Sequence, residues 1–269
     1  MGRAQHGVVL MDFLETVSAE RKADAQAARR DERSPERSGR ARPSFVDAIL
    51  AKRAAGRIAV IAEVKRRSPA LGMLAPDADP VGLAFAYAQS GAAAISVLTE
   101  PRHWGGSVAD LLAVAAAVDL PVLYKDVVVD ERQIAEAEAA GASAVLLIAE
   151  ALDDATLAAF VRRAGELGLT AVVEAHEHAA FVRAVACGAE VVGVNARNLR
   201  QPGEIDRDRI AALHGLVRPD QLLIAESGIG SAADVAALPA RVDAVLVGSA
   251  LMTAADPGAV VRSLAAVPR

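Results

Sequence analysis

The chain has 269 residues, of which 53% are hydrophobic and 23% are charged, with a net charge of −5 and one cysteine. This composition is typical of a globular protein with a large core, and the slight negative charge argues against a nucleic-acid-binding surface. One cysteine excludes an intrachain disulfide framework and a cysteine-based metal cluster. Because no apolar run reaches the roughly 20 residues that span a membrane, we expect a cytoplasmic protein without membrane contacts.

The first part of the chain predicts a helical extension over residues 8–55. Apolar residues recur at helical spacing in Val8–Arg30. The Arg-, Ser- and Pro-rich segment Asp31–Pro43 predicts a loose connection, and Phe45–Ala54 predicts a second helix with Ser44 as its N-cap. Because acidic residues are interspersed among the arginines of this extension, we interpret the arginines as a solvated surface rather than an anion site.

From Gly56 onward, eight short apolar runs alternate with Ala- and Leu-rich helical stretches. The runs predict strands at Ile58–Glu63, Ala93–Leu98, Val122–Lys125, Ala144–Ile148, Thr170–Glu174, Val191–Val194, Leu222–Ala225 and Ala244–Val247. The intervening helices include Pro80–Ser90, Glu131–Ala140, Asp154–Gly165, Ala179–Cys187 and Ser231–Ala237. Nearly continuous hydrophobicity indicates parallel strands buried on both faces. Cys187 follows such a helical stretch, so we expect a buried core thiol rather than a nucleophile.

The eight repeats predict a single α/β domain over residues 1–269, a closed (β/α)₈ TIM barrel over 56–269 with the helical N-terminal extension. The structural alternative is a doubly wound open sheet, which often carries a Gly-rich phosphate loop after its first strand. Here Glu63 is followed by Val-Lys-Arg-Arg-Ser-Pro without that fingerprint, which favours the barrel.

Polar residues follow most of the predicted strands, at the barrel end where active sites lie. They are Glu63, Lys65, Ser96, Glu100, Lys125, Asp126, Glu174, Asn195, Arg197, Glu226, Ser227, Gly248 and Ser249. Glu63 and Lys65 are two apart on a strand, so both side chains can point into the barrel mouth. A solvated loop residue is the commoner role for any single one of them. Two lysines and three glutamates around one mouth nevertheless predict an acid–base site.

Glycine and serine in the loops after the last two strands predict a phosphate site. The loops read Glu-Ser-Gly-Ile-Gly-Ser from Glu226 and Val-Gly-Ser-Ala-Leu-Met from Val247, and glycine lets the backbone approach an oxyanion closely. We expect Arg67 and Ser68 to close over the same phosphate. The alternative is that the glycines only shape a turn.

The remaining features carry weaker signals. His176 and His178 lack further ligands for a metal, so we interpret them as polar loop residues. Trp104 either packs against an aromatic ligand or covers the barrel edge. No dinucleotide fingerprint is present, and we predict neither a cofactor nor a metal.

Eight segments together resemble the indole-3-glycerol-phosphate synthase family of tryptophan biosynthesis. They are Ile61–Pro69, Ile95–Glu100 with Gly105–Ser107, Pro121–Asp126, Gly141–Ile148, Glu174–His176, Gly193–Leu199, Ala225–Ile229 and Val247–Met252. The resemblance runs from about Leu10 to the C-terminus. It implies a carboxy-lyase that closes the indole ring of a phosphorylated anthranilate–ribulose substrate, with the helical extension packed against the barrel mouth.

The resemblance also implies roles for individual residues. Lys125 would polarise the ribulose carbonyl, while Lys65, Glu63 and Glu174 would supply the later acid and base, with the division between the two lysines left open. Asn195 and Glu226 would orient hydroxyls and lysines. The implied substrate contacts are Arg67, Ser68, Pro69, Trp104, Arg197, Ser227, Gly228, Gly248 and Ser249.

Four positions depart from the family pattern, among them Arg67, where Lys is also seen, and Tyr124, where Arg, Met or Cys occurs. Val127 stands where Phe is common and Ala196 where Asn or Ser is frequent, which puts affinity rather than reaction type in question. Two other kinds of protein remain as alternatives. The alternatives are another phosphate-binding barrel, such as phosphoribosylanthranilate isomerase or a tryptophan synthase α-type lyase, and a non-catalytic ligand-binding barrel. We expect a monomer, because the helical faces are polar.

Overall fold

The computed structural model describes residues 12–28 and 42–269. Eight parallel strands form a closed barrel in which consecutive strands pair and the first strand also pairs with the last. The strands are β1 (Ala59–Val64), β2 (Ala94–Leu98), β3 (Val122–Lys125), β4 (Ala144–Ile148), β5 (Thr170–Ala175), β6 (Val191–Asn195), β7 (Leu222–Glu226) and β8 (Ala244–Val247). The predicted (β/α)₈ barrel is confirmed.

Three strands have the predicted bounds, and the other five differ by one residue at one or both ends. In β6 and β7 the backbone ladder continues past the apolar run into the first polar residue. Asn195 of β6 lies in register with Glu226 of β7, and Glu174 of β5 with Gly193 of β6. The strands, rather than flexible loops, therefore hold these polar side chains.

Helices surround the barrel, and the first two of them precede it in the chain. They are α1 (Phe13–Ala28), α2 (Phe45–Ala54), α3 (Pro80–Gln89), α4 (Val108–Ala117), α5 (Glu131–Ala139), α6 (Asp154–Glu166), α7 (His178–Ala186), α8 (Asp208–Leu213), α9 (Ala232–Ala236), α10 (Ser249–Met252) and α11 (Pro257–Ala265). The predicted second helix and its cap are confirmed, because the Ser44 side chain accepts from the Asp47 N–H at 3.1 Å. Residues 8–11 and 29–30 of the predicted first helix, and 31–41 of the predicted connection, lie outside the described residues.

Two buried layers hold the fold together. Apolar side chains that point into the barrel form one cluster with residues from the extension, including Leu14 and Val17 of α1 and Phe45 and Ile49 of α2. The outward-facing side chains of the strands form a larger cluster with the surrounding helices. No described helix is long and apolar enough to cross a membrane.

Ion pairs attach α1 to the barrel mouth. Arg21 donates from Nε and Nη2 to the two carboxylate oxygens of Asp126, each at 2.9 Å, and its side chain is only 11% exposed. Asp24 pairs with Arg102 in the loop after β2. The interpretation of the extension's arginines as a solvated surface is therefore wrong for Arg21, because a buried carboxylate on β3's loop requires a cationic partner.

Cys187 is half-buried, not fully buried as expected. It caps the end of α7, and its Sγ donates to the Ala184 carbonyl at 3.0 Å. Partial burial raises the pKa of the thiol, which makes it a poor nucleophile.

Candidate active site

A cavity of about 450 Å³ opens at the C-terminal end of the barrel. All but one of the predicted site residues line it. They are Glu63, Lys65, Ser68, Pro69, Trp104, Lys125, Glu174, Asn195, Arg197, Glu226, Ser227, Gly228, Gly248 and Ser249. Side chains that are up to 186 positions apart in sequence thus face one enclosed volume because the strand ends meet at one rim.

Lys125 lies at the centre of the first charged cluster. Its Nζ donates to Glu174 Oε2 at 3.1 Å and to Glu226 Oε2 at 2.9 Å, which are carried by β5 and β7. Asn195 Nδ2 donates to the other oxygen of Glu174 at 2.8 Å. One lysine therefore reaches across the barrel and joins three strands.

The protonation states in this cluster follow from burial and the neighbouring charges. Burial acts to lower the pKa of Lys125, but the surrounding carboxylates outweigh it and the net shift is upward. Burial and the nearby Glu174 raise the pKa of Glu226 to about 8, against the opposing effect of Lys125. Burial acts to raise the pKa of Glu174, but Lys125 and the hydrogen bond from Asn195 outweigh it, so the net shift is downward. Lys125 is therefore held as an ammonium, and of the two carboxyl groups beside it Glu226 binds a proton more readily than Glu174.

Glycine at position 193 makes room for this cluster. A Cβ on Gly193 would lie 2.6 Å from Glu226 Oε1, well inside ordinary contact distance. The buried Glu226 carboxyl therefore occupies space that any larger residue on β6 would fill.

Glu63 and Lys65 form the second charged cluster. Their carboxylate and ammonium groups are 2.7 Å apart, because Glu63 near the end of β1 and Lys65 directly after it point to the same side, and both are largely buried. Gly248, after β8, adjoins them, since its hypothetical Cβ would lie 2.0 Å from Glu63 Oε1 and 3.0 Å from Lys65 Nζ. This pair thus lies against one of the two predicted phosphate loops.

The other predicted phosphate loop, after β7, has an unusual backbone. Ser227 and Gly228 have φ of 68° and 72°. A positive φ at serine costs roughly 1–3 kcal/mol and persists where the surrounding structure enforces it, often at a functional site. The turn directs the backbone of both residues toward the cavity, which they line.

The opposite side of the cavity is apolar. Phe13 and Leu14 of α1 line it together with Trp104, Val127 and Ile148. The Trp104 ring packs edge-on against Phe13 at a centroid distance of 5.6 Å. The cavity therefore has a charged side near β7, β8 and β1 and an apolar side under α1.

Buried Glu100 fixes the loop that carries Trp104. Its carboxylate accepts from the backbone N–H groups of Arg102, His103 and Trp104 at 3.0, 2.6 and 3.0 Å. Three charge-assisted hydrogen bonds to consecutive residues hold this turn in one conformation.

Arg67 is the predicted site residue that the structure does not place in the cavity. Its side chain is exposed, and Nη1 donates to the Arg102 carbonyl at 3.0 Å. Arg67 and Ser68 form a short antiparallel ladder with Gly72 and Met73. Because side chains alternate along a strand, burying Ser68 turns Arg67 outward. The structure therefore does not bring Arg67 to the cavity, unlike Ser68 beside it.

His176 lies in the loop between β5 and α7, as predicted, but it is buried rather than solvated. Its side chain is 1% exposed and lies 3.1 Å from Glu150, whose carboxylate also accepts from the backbone N–H of His176 and of Glu177. The neighbouring His178 begins α7. Within residues 12–28 and 42–269, no group of three or more His, Cys, Asp or Glu side chains could hold a metal ion.

Sequence reasoning missed several cavity residues. Phe13, Leu14 and Ile205 carry no local signal beyond hydrophobicity, and Arg207 lies in a loop remote from any strand end. Glu100, which follows β2 by two residues, was among the predicted rim residues, but its function as an acceptor for the loop backbone is apparent only from the structure.

Comparison with known proteins gives a consistent result. The family model described as indole-3-glycerol phosphate synthase matches residues 12–264. An indole-3-glycerol phosphate synthase of Nocardioides sp. is 50% identical over 260 residues, which cover 96% of this chain and 95% of that protein. The corresponding protein of Parafrankia sp. is 51% identical over 216 residues, or 80% of each chain.

Solved structures support the fold. A tryptophan synthase chain from M. tuberculosis superposes with a TM-score of 0.64 at 18% identity, covering 84% of this chain and 99% of that one. A 3-hexulose-6-phosphate synthase gives a TM-score of 0.63 at 22% identity, covering 79% and 100%. At such low identity these likenesses concern the barrel architecture alone.

Proposed function

Because the chain belongs to the indole-3-glycerol phosphate synthase family, we propose that the residues around its barrel mouth divide the chemistry of indole formation between the two charged clusters. The reaction converts 1-(2-carboxyphenylamino)-1-deoxyribulose 5-phosphate into indole-3-glycerol phosphate, carbon dioxide and water, a step of tryptophan biosynthesis. The enzyme is thus a carboxy-lyase acting on a phosphorylated small molecule. The observation that carries the proposal is the Lys125 ammonium held between Glu174 and Glu226 inside the cavity.

The two sides of the cavity orient the substrate. The phosphate lies against Ser227, Gly228, Gly248 and Ser249, with Ser68 nearby, and the aromatic ring lies on the apolar side with Pro69 and Trp104. The ribulose chain then crosses the mouth past the lysines. Arg197, which lines the cavity and whose pKa is lowered by burial, faces the substrate from the loop after β6.

Lys125 acts in the ring closure. Val127, two residues further on, lines the apolar part of the cavity, and this supports Lys125 as the lysine nearer the aromatic ring. The ring carbon that bears the carboxyl group attacks the ribulose carbonyl carbon, and the carbonyl oxygen takes a proton from Lys125. Carbon dioxide then leaves, and the electron pair of the broken bond restores the aromatic ring. A preorganised ammonium stabilises the charge that develops on the oxygen.

Lys65 and Glu174 act in the dehydration. Lys65 protonates the departing hydroxyl, which leaves as water, while the Glu174 carboxylate removes the proton from the neighbouring carbon. Glu63 holds Lys65 at 2.7 Å, Asn195 holds Glu174 at 2.8 Å, and Glu226 holds Lys125 at 2.9 Å. These three side chains fix the distances between the reacting groups.

Replacing Lys125 by methionine tests the proposal, because methionine keeps most of the side-chain volume and removes the charge. We expect kcat to fall at least about a hundredfold, the loss typical of one electrostatic stabiliser. The assay follows indole fluorescence as the substrate turns over. Lys22→Met, at an exposed position on α1, is the matched control and should keep wild-type kcat. A folded Lys125→Met enzyme with near-normal kcat contradicts the assigned role.

We further propose that residues 1–269 act as one cytoplasmic domain that is a monomer, without cofactor, nucleic-acid or membrane partners. Sedimentation equilibrium tests the monomer, and a stable dimer at micromolar concentration would refute it.

A further inference from the structure

We infer that Arg207 is an additional phosphate-binding residue, contributed by the loop after β6, and that it also neutralises the carboxylate of Asp234 beside the phosphate site. This inference rests on the phosphate site proposed above. It adds a cation to loops that otherwise offer glycine and serine.

The loop after β6 is a hydrogen-bonded arch. The Asp206 N–H donates to the Ala196 carbonyl at 2.8 Å, the Asn198 N–H donates to the Glu204 carbonyl at 3.0 Å, and Arg197 and Ile205 form an antiparallel bridge between them. The arch thus brings its far end back toward the cavity. Arg207 follows directly after it, immediately before α8.

Arg207 lies over the glycine of the β7 loop. A Cβ on Gly228 would be 3.5 Å from Arg207 Nε and 3.6 Å from its Cγ, and Arg207 lines the cavity. Lys65 lies over Gly248 in the other loop in a comparable way, with Nζ 3.0 Å from the hypothetical Cβ. Each glycine loop therefore has one cation beside it.

The charges around the site require such a cation. A phosphate monoester carries a charge of about −1.5 to −2 at neutral pH. Lys125 is already hydrogen-bonded to the carboxyl groups of Glu174 and Glu226, and Lys65 is paired with Glu63. Arg207 has a 68% exposed side chain and makes one ion pair with the residues that the structure describes, in which Nη1 lies 3.0 Å from Asp234 Oδ1. Its remaining guanidinium donors can therefore bind an oxyanion.

Asp234 gives the arginine its second role. Its carboxylate accepts from the backbone N–H groups of Gly230 and Ser231, each at 3.0 Å, in the same loop that is to bind the phosphate. An unscreened carboxylate at this position would repel the substrate. The Arg207 guanidinium, placed between the Asp234 carboxylate and the phosphate, would donate hydrogen bonds to both and so cancel their repulsion.

Arg207→Gln tests the inference with two readouts, the KM for substrate and the inhibition constant of inorganic phosphate. We expect both to rise about tenfold, the loss typical of one charge-assisted hydrogen bond, while kcat stays within about twofold. Arg163→Gln is the control, because Arg163 also pairs on the surface with a single carboxylate, Glu166, away from the cavity. Unchanged KM and unchanged phosphate inhibition in Arg207→Gln would overturn the inference.

Two further variants separate the possible explanations. Arg207→Gln combined with Asp234→Asn should keep the raised KM if Arg207 touches the phosphate, whereas recovery to the KM of Asp234→Asn alone would overturn direct contact. Ser249→Ala tests the phosphate site itself. If Ser249→Ala raises the KM and Arg207→Gln does not, the phosphate site stands and the role of Arg207 falls. If neither variant changes the KM or phosphate inhibition, the proposed site is wrong as well.

Discussion

Gly193→Ala tests how closely the Lys125 cluster is fitted to the barrel. The added Cβ would lie 2.6 Å from Glu226 Oε1, whereas ordinary contact begins at about 3.5 Å, so the carboxyl must retreat by about 0.9 Å. Glu226 holds Lys125 at 2.9 Å, and the lysine must follow or lose that hydrogen bond. A misplacement of about 1 Å costs roughly a hundredfold in rate, so we expect kcat to fall by about that factor.

The fold should tolerate the same substitution. Overpacking in a core typically costs about 1–3 kcal/mol. Replacing glycine by alanine within a strand, in contrast, stabilises the folded state by about 0.5–1 kcal/mol. The net loss of unfolding free energy should therefore stay below about 2.5 kcal/mol. Movement of the Glu226 side chain relieves part of the overlap and makes the loss smaller still.

Two measurements decide the outcome. Steady-state kinetics by indole fluorescence gives kcat, and urea unfolding followed by circular dichroism gives the free energy of unfolding. Gly215→Ala is the control, since its Cβ would meet nothing within 4 Å. If Gly193→Ala keeps kcat within about threefold of wild type, the position of Glu226 does not set the rate and the reasoning fails.

The remaining predictions concern buried carboxyl groups. In the folded protein the pKa of Glu226 is raised to about 8, so protonation of this carboxyl stabilises the fold. The stabilisation is complete at pH values below the ordinary pKa of glutamate, and it is lost as pH rises through about 8. The urea midpoint of unfolding should therefore fall between about pH 4.5 and pH 8, and Glu226→Gln should reduce that fall; an unchanged slope would contradict it. Glu100→Gln replaces an acceptor oxygen by an amide donor, so the Trp104 loop should loosen and the KM should rise several-fold with little change in kcat. Trp104 is the sole tryptophan, so its fluorescence reports the loop directly, and unaltered emission and KM would refute the positioning role.

The barrel and most of its active site were predictable because strand periodicity fixes both. Continuous apolar runs located the eight strands, and a parallel barrel places all their C-terminal ends at one rim. The Glu63–Lys65 pair followed from the two-residue repeat of a strand, and the structure brings the two groups to 2.7 Å.

Contacts between distant segments were not predictable in this way. Arg21 and Asp126 are 105 positions apart in the sequence. The local sequence around an arginine among acidic residues does not distinguish a solvated side chain from one paired with a distant carboxylate. His176 is buried because Glu150 of a neighbouring strand end accepts its backbone N–H. Arg67 turned outward because a two-residue ladder sets its direction, and such short pairing leaves no pattern in the sequence.

The closing seam of the barrel has a consequence for how activity arises during folding. Ala59 of β1 lies in register with Ala244 of β8, so the first strand stays unpaired on one edge until the last has been synthesised. Glu63 and Lys65 sit at this seam against Gly248, which belongs to the closing segment. Partly folded chains that lack β8 would therefore hold both lysines and their carboxyl groups, but not Gly248 and Ser249 of the proposed phosphate site. We therefore expect turnover to begin only when the ring has closed, so that activity reports complete barrel assembly.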